Sequence, residues 1–180
     1  MKPKKGQQLS ETQDSWCTPM PVKMALMEFG GRVELDPCSN PNSIIGASRE
    51  WYGPPHGTDG LFAVWESPFV YFNPPYTQKH VWTRKAADEY ASKRAKEIVG
   101  LLPADTDTGW FHDNVIDAGA TVCFWRGRLT FLGDAKHPAM FPVVLMYYGR
   151  RRARFAQVFG KRGWVPTSKD MKTLVRARAA

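Results

Sequence analysis

The chain offers few of the groups that attack a substrate. Its three cysteines, Cys17, Cys38 and Cys123, are scattered and odd in number. That argues against a disulfide framework and for a reducing compartment. The four histidines, His56, His80, His112 and His137, are equally dispersed. No Cys/His pair stands at metal-ligand spacing, so no metal site is expected. No Gly-x-Gly run opens a helix, which excludes a dinucleotide fingerprint. The longest apolar run, Phe141 to Tyr148, is far too short to cross a bilayer, and no membrane partner is expected. No apolar stretch follows Met1-Lys2-Pro3-Lys4-Lys5-Gly6, so no leader is expected.

Acidic residues are missing from one end. Residues 150–180 hold ten Lys/Arg against the single acid Asp170, while the first 149 hold fifteen against sixteen acids. The net charge of +8 therefore sits in the tail. A localised basic segment is an electrostatic footprint for phosphate, and Arg150, Arg151, Arg152 and Arg154 are its candidate contacts. The division expected is a flexible tail over 1–14, a folded body over 15–149 and a basic extension over 150–180.

What is present is a full core, with aromatics at 13% of residues, and an alternation of strands and helices. Val22, Ala25, Leu26 and Phe29 recur at helical spacing, opened by Thr18 as N-cap with Pro19 at the first helical position and closed by Gly30-Gly31. Arg32–Leu35 reads as a strand running into Asp36-Pro37, and Phe69–Phe72 as a buried strand, with Trp65 packing under it. A helix is expected from about Gln78 to Lys96 and a strand over Ile98–Leu102. Thr106 or Asp107 should cap a helix through Trp110, Phe111, Val115 and Ile116 that ends at Gly119. Thr121–Trp125 is a strand, turned back by Arg126-Gly127-Arg128 into Leu129-Thr130-Phe131 as a hairpin, with Phe141–Tyr148 as another strand. This order implies an α/β sandwich, a mostly parallel sheet with an antiparallel edge hairpin.

The stretch with the most chemistry is Asn73-Pro74-Pro75-Tyr76. Two prolines cannot continue a ladder, so the strand stops there, at the sheet edge where α/β proteins bind ligands. The Asn73 side-chain oxygen and the Pro74 carbonyl could each accept one hydrogen of an exocyclic amine. Positive charge develops on such a nitrogen as it attacks an electrophile, so these acceptors favour the transition state. Tyr76 could stack on a base taken out of its helix. The alternative is an ordinary turn, since Asn-Pro and Pro-Pro are loop punctuation. Arg126 and Arg128 flank a tight turn suited to gripping phosphates, or are simply solvated.

Several pieces occur together in one order: Trp16-Cys17-Thr18-Pro19, Leu35-Asp36-Pro37-Cys38, Asp59-Gly60-Leu61, Trp65, Phe72-Asn73-Pro74-Pro75-Tyr76, Leu102 to Thr108, and Gly127-Arg128-Leu129-Thr130-Phe131. The set resembles the phage and prophage DNA N6-adenine methyltransferases, the small Dam-like family, over residues 16 to 148. The resemblance implies a Rossmann-like class I methyltransferase fold with S-adenosyl-L-methionine as donor. It places Thr18, Pro19, Asp36, Pro37 and Asp59 in the donor pocket, Asp36 toward the methionine end and Asp59 toward the adenine amine. Asn73, Pro74, Pro75 and Tyr76 would hold a flipped adenine of double-stranded DNA, in the cytoplasm of a bacterial or phage-infected cell, with protection from restriction as one role. The glycine-rich loop usual in class I methyltransferases is absent after Asp36. Base specificity would come from loops 77–80 and 105–109, the Arg126–Arg128 turn or the tail. The residues also leave open a non-catalytic nucleic-acid-binding protein, or methyl transfer to RNA or to a protein glutamine.

Overall fold

A computed structural model describes residues 16–133 and 138–166. The expected 1–14 tail and the part of the basic extension beyond 166 lie outside them. Seven strands form one sheet in the order β2-β1-β3-β4-β6-β5-β7. They are β1 (Leu35–Asp36), β2 (Arg49–Glu50), β3 (Val70–Phe72), β4 (Ile98–Pro103), β5 (Thr121–Trp125), β6 (Val143–Tyr148) and β7 (Gly163–Trp164). β2, β1, β3 and β4 pair in parallel. β6 pairs antiparallel with both β4 and β5, which makes β5 parallel to β4 although they do not touch. Five strands thus point one way, and β6 and the edge strand β7 point back. The sheet is Rossmann-like and mostly parallel.

Alternation of side chains along the strands makes two cores. Tyr71, Val99, Leu101, Cys123, Val143, Leu145 and Tyr147 face one side, with helices α1 (Met20–Gly30) and α4 (Arg152–Phe159) over them. Val70, Phe72, Ile98, Leu102, Val122, Val144, Met146 and Tyr148 face the other, under α2 (Lys79–Ala91) and α3 (Gly109–Phe111), which runs on as a π-helix over His112–Asp117. Trp65 is fully buried and its ring lies 5.7 Å from that of Phe72, as expected. Gly100 leaves the space that Phe72 fills: a Cβ there would stand 2.5 Å from the Phe72 ring.

Several elements differ from expectation. Pro19, not Thr18, is the N-cap of α1: its carbonyl accepts the first helical N–H groups, while the Thr18 hydroxyl pairs with the Tyr71 hydroxyl at 2.7 Å. Two prolines at the helix start cost nothing, because those N–H groups have no intrahelical partner. α2 stops at Ala91, five residues early, where Ser92 caps it and Lys93 takes a positive φ of 62°. Neither Thr106 nor Asp107 caps α3; the N-cap is Thr108. Leu129-Thr130-Phe131 pairs with no strand, so the tight hairpin at Arg126–Arg128 does not form. Leu129 and Phe131 are instead buried in the core, and β5 finds its antiparallel partner in β6. The antiparallel part lies inside the sheet rather than only at its edge. After residue 150 the short helix expected from the sequence forms as α4, and its Phe155, Val158 and Phe159 are fully buried. No helix among the described residues is long and apolar enough to cross a membrane.

α2 is polar for most of its length, so its anchoring depends on few residues. Trp82, Thr83 and Ala86 are buried, and Glu89 beside them is wholly inaccessible. Lys85 (2.7 Å) and Arg94 (2.6 Å) both reach its carboxylate. Burial alone would raise this carboxyl, yet the two cations hold it below the ordinary carboxylate range. Replacing Glu89 by Ala leaves half-buried Lys85 without its partner and empties a wholly buried site, and urea unfolding should show a loss of about 2 kcal/mol. Lys96→Ala, at an exposed residue nearby, should cost under about 0.5 kcal/mol.

Candidate functional site

The parallel strands all end at one edge, and the sequence places a polar loop after each. Asp36 ends β1 and Pro37-Cys38 follows it, Asn73–Tyr76 follows β3, Ala104–Thr108 follows β4 and Arg126–Arg128 follows β5. The register Leu35↔Val70 and Phe72↔Gly100 brings the first three side by side.

Asn73 is anchored across the fold. Its side-chain N–H donates to the Trp16 carbonyl at 2.7 Å, 57 residues away in sequence. That fixes the amide so that Oδ1 is its acceptor end, and there the Tyr76 hydroxyl donates at 3.1 Å. Tyr76 belongs to a short 3-10 turn, Tyr76–Gln78, that leads into α2. Its ring meets Phe141 edge-on at 5.5 Å and Trp16 at 5.9 Å. Trp16 in turn stacks on Phe131 and Phe141, each at 5.1 Å. The four rings make an aromatic wall beside the Asn73 amide. Burial keeps the Tyr76 phenol well above its ordinary range, so it stays a neutral donor.

Next to the wall stand carboxylates. Asp36 is almost completely buried, and one oxygen accepts the Cys38 N–H at 3.1 Å. Burial, reinforced by the neighbouring charge of Glu50, pushes its carboxyl up to about 7. No lysine or arginine pairs with it among the described residues. Glu50 ends β2, accepting from the Tyr52 hydroxyl at 3.0 Å. Asp59 accepts the Leu61 N–H at 2.9 Å, closing a turn. The loop is held to the Asp36 segment by Gly60: a Cβ at that position would lie 2.0 Å from the Pro37 carbonyl oxygen. The Trp65 indole N–H donates to the Gly60 carbonyl at 2.7 Å and fixes the approach. Cys38 lies between the carboxylates and the amide; burial and then the Asp36 charge push its thiol well up, so it is no nucleophile.

The structure therefore gathers Thr18, Asp36, Pro37, Asp59, Asn73, Pro74, Pro75 and Tyr76 at one edge, with Pro19 opening α1 beside Thr18. Arg126 and Arg128 lie on the same edge, further along the sheet, and both are exposed. The arginines from 150 to 154 do not come to the site. β6 runs antiparallel, so the residues after Tyr148 emerge at the edge where the parallel strands begin. There Arg151 pairs with Glu97 and stacks over Phe29, Arg152 donates to the Gly119 carbonyl and Arg154 to the Glu28 carbonyl. Arg150 is exposed at that same edge.

Sequence reasoning missed five contributors. Trp16 and Phe131 stood in the quoted motifs without a role, and Phe141 was read as a strand start. Glu50 ends a two-residue strand too short to leave a pattern. Lys79 bridges to Asp105 at 3.2 Å and to the Tyr76 carbonyl at 3.2 Å, tying the loop after β4 to the turn after β3. Oppositely charged residues at those separations carry no local signal.

Comparison with known proteins agrees with this geometry. The family model for "DNA N-6-adenine-methyltransferase (Dam)" matches residues 5–140. A DNA N-6-adenine-methyltransferase of Escherichia phage T1 is 29% identical over 100 residues, which are 55% of this chain and 40% of that protein. A protein of the same description from Haemophilus phage HP1 is 27% identical over 123 residues, 68% of each chain. The match thus spans less than half the length of the T1 relative. No solved structure matches. With three quarters of its length inside that family model, and the motif residues gathered at one sheet edge, the chain belongs to the DNA N-6-adenine-methyltransferase (Dam) family.

Proposed function

We propose that the protein transfers a methyl group from S-adenosyl-L-methionine to the N6 amine of adenine in DNA. The observation that carries this reading is the Asn73 amide, tied by its nitrogen to Trp16 and presenting its oxygen beside an aromatic wall. A flat base seated on Tyr76 would put its exocyclic amine between Asn73 Oδ1 and the Pro74 carbonyl. Pro75, having no N–H, leaves that carbonyl without a competing neighbouring donor. The hydrogen bond that Tyr76 now gives to Asn73 is the one the amine would replace.

The residues present fit the donor. Asp36, Glu50 and Asp59 form an edge of carboxylates without cationic partners among the described residues, suited to a ligand bearing positive charge. Asp36 would pair with its ammonium, Glu50 would accept from its ribose hydroxyls, and Asp59 would accept from its adenine amine. The bound donor supplies a methyl on a sulfonium, ready for in-line displacement. What the chain adds is position and acceptors: Asn73 and Pro74 take up the charge that grows on N6, and the proton finally lost goes to water. Neither the raised Cys38 thiol nor the raised Tyr76 phenol is needed as a base.

Incubation of the protein with labelled donor and unmethylated DNA, followed by nucleoside analysis, should yield N6-methyladenine. Label in RNA or protein instead would remove the DNA assignment. Asn73→Ala should lower transfer by at least ~10²-fold, with donor affinity by calorimetry nearly unchanged. Wild-type activity in that variant would refute the role of the amide.

Asp36 gives a pH test. Its carboxyl holds a proton more tightly folded than unfolded, so its contribution to stability is full below about 4 and lost as pH rises through about 7. A shift from the ordinary 3.8 to about 7 corresponds to roughly 4 kcal/mol of penalty on the ionised form. Asp36→Asn should therefore raise the melting temperature more at pH 8 than at pH 5. Donor affinity in the wild type should climb between pH 6 and 7.5, as the carboxylate forms, and that climb should vanish in Asp36→Asn.

A further inference from the structure

The basic arginines read from the tail are turned away from the site, which leaves open how a polyanion is held near it. A second cationic surface lies on the correct edge. Between the end of β5 and the α4–β7 turn runs a groove of about 440 Å³, lined by Phe124, Arg126, Lys161, Arg162 and Trp164. The Arg126 N–H donates to the Arg162 carbonyl at 2.9 Å, so the two cationic segments are joined backbone to backbone. β7 runs antiparallel to β5, with Trp125↔Gly163, which brings the backbone of Lys161 and Arg162 up to the edge where β5 ends, while their charged ends reach back to Glu28. Trp164 is 55% exposed although it stacks on Phe124 at 5.7 Å, so its other face is open.

We propose that this groove is a DNA-backbone contact, flanking the base pocket and separate from it. The proposal rests on the methyl-transfer reading for the identity of the polyanion. Charge decides the occupant. Arg126 and Arg128 are exposed and have no carboxylate partner among the described residues. Lys161 and Arg162 both pair with Glu28, at 2.6 and 3.1 Å, so the positive charge left for a polyanion here is that of Arg126 and Arg128. An aromatic plate among arginines suits a sugar–phosphate chain, the indole covering deoxyribose and the guanidinium groups meeting phosphates.

Distance fits as well. Neighbouring strands lie about 4.8 Å apart. From β3, which bears Asn73, the order β3-β4-β6-β5-β7 puts β5 and β7 roughly 14 and 19 Å away. At about 3.4 Å per base pair, a duplex with its target adenine at Asn73 carries phosphates past this groove about four to six pairs from that base. The groove can thus bind backbone without touching the reacting nucleotide.

The test is binding of a fluorescein-labelled 24-base-pair duplex by anisotropy, without donor, over a range of salt. Arg126→Ala/Arg128→Ala should flatten the slope of log affinity against log salt by about 1.8, two phosphate contacts. Donor binding by calorimetry should not move. A control that removes two charges at the opposite edge, Lys96→Ala/Arg150→Ala, should leave the slope as in wild type. Trp164→Ala should weaken binding about tenfold, and Trp164→Phe should restore most of it. An unchanged slope in the arginine pair, or an equal change in the control, overturns the proposal. Success in methyl transfer with no slope change removes this surface and keeps the reading above it. A slope change without any methyl transfer keeps the surface and removes that reading.

Discussion

A single side-chain amide ties the start of the fold to the tip of β3. The Asn73 N–H to the Trp16 carbonyl links the segment before α1 to the tip of β3, and it can form only if the sheet, α1 and the aromatic wall are in register together. A buried amide bond is modest in net energy, about 1 kcal/mol, but its loss leaves a donor and an acceptor unpaired. Its importance is orientation. With the nitrogen committed, the oxygen has one direction left, and Tyr76 occupies it only with a hydroxyl that a better donor can displace.

Around that bond the charge is divided. On the β1 side of Asn73 there are carboxylates without cations, and burial at Asp36 keeps one of them near neutrality at the cost of a strained ionisation. On the β5 side there are arginines without carboxylates. At other places carboxylates are matched with cations, as at Glu89 with Lys85 and Arg94, or Glu97 with Arg151. Along this one sheet edge, Asp36, Glu50 and Asp59 thus stand at one end and Arg126 and Arg128 at the other. A cationic small ligand and a polyanion would find different ends of the same edge.

Much of this was legible in the chain. Val22, Ala25, Leu26 and Phe29 gave the α1 face, Thr121–Trp125 the span of β5, and Asn73–Tyr76 the end of β3, because each depends on local periodicity or on proline. What failed depended on distant partners. Leu129-Thr130-Phe131 looks like a returning strand, yet Leu129 and Phe131 gain more by burial in the core than by pairing at an edge. The arginines after Tyr148 read as phosphate contacts. Their true position follows from the direction of β6, and no local pattern reports strand direction. Glu50 and the Lys79–Asp105 bridge were silent for the same reason.

The position of β6 has a consequence for how the chain can be made. β4 and β5 leave the ribosome first, but they are not neighbours; residues 143–148 must arrive to join them, and the other edge of β5 waits for Gly163–Trp164. Until then the sheet stops at β4, and β5 has no strand to pair with on either side. The Asn73 end of the molecule belongs to the part that can assemble early, while the groove at Arg126 and Trp164 is closed last. A nascent chain would thus have the strands of the base pocket before it has the surface that meets flanking backbone.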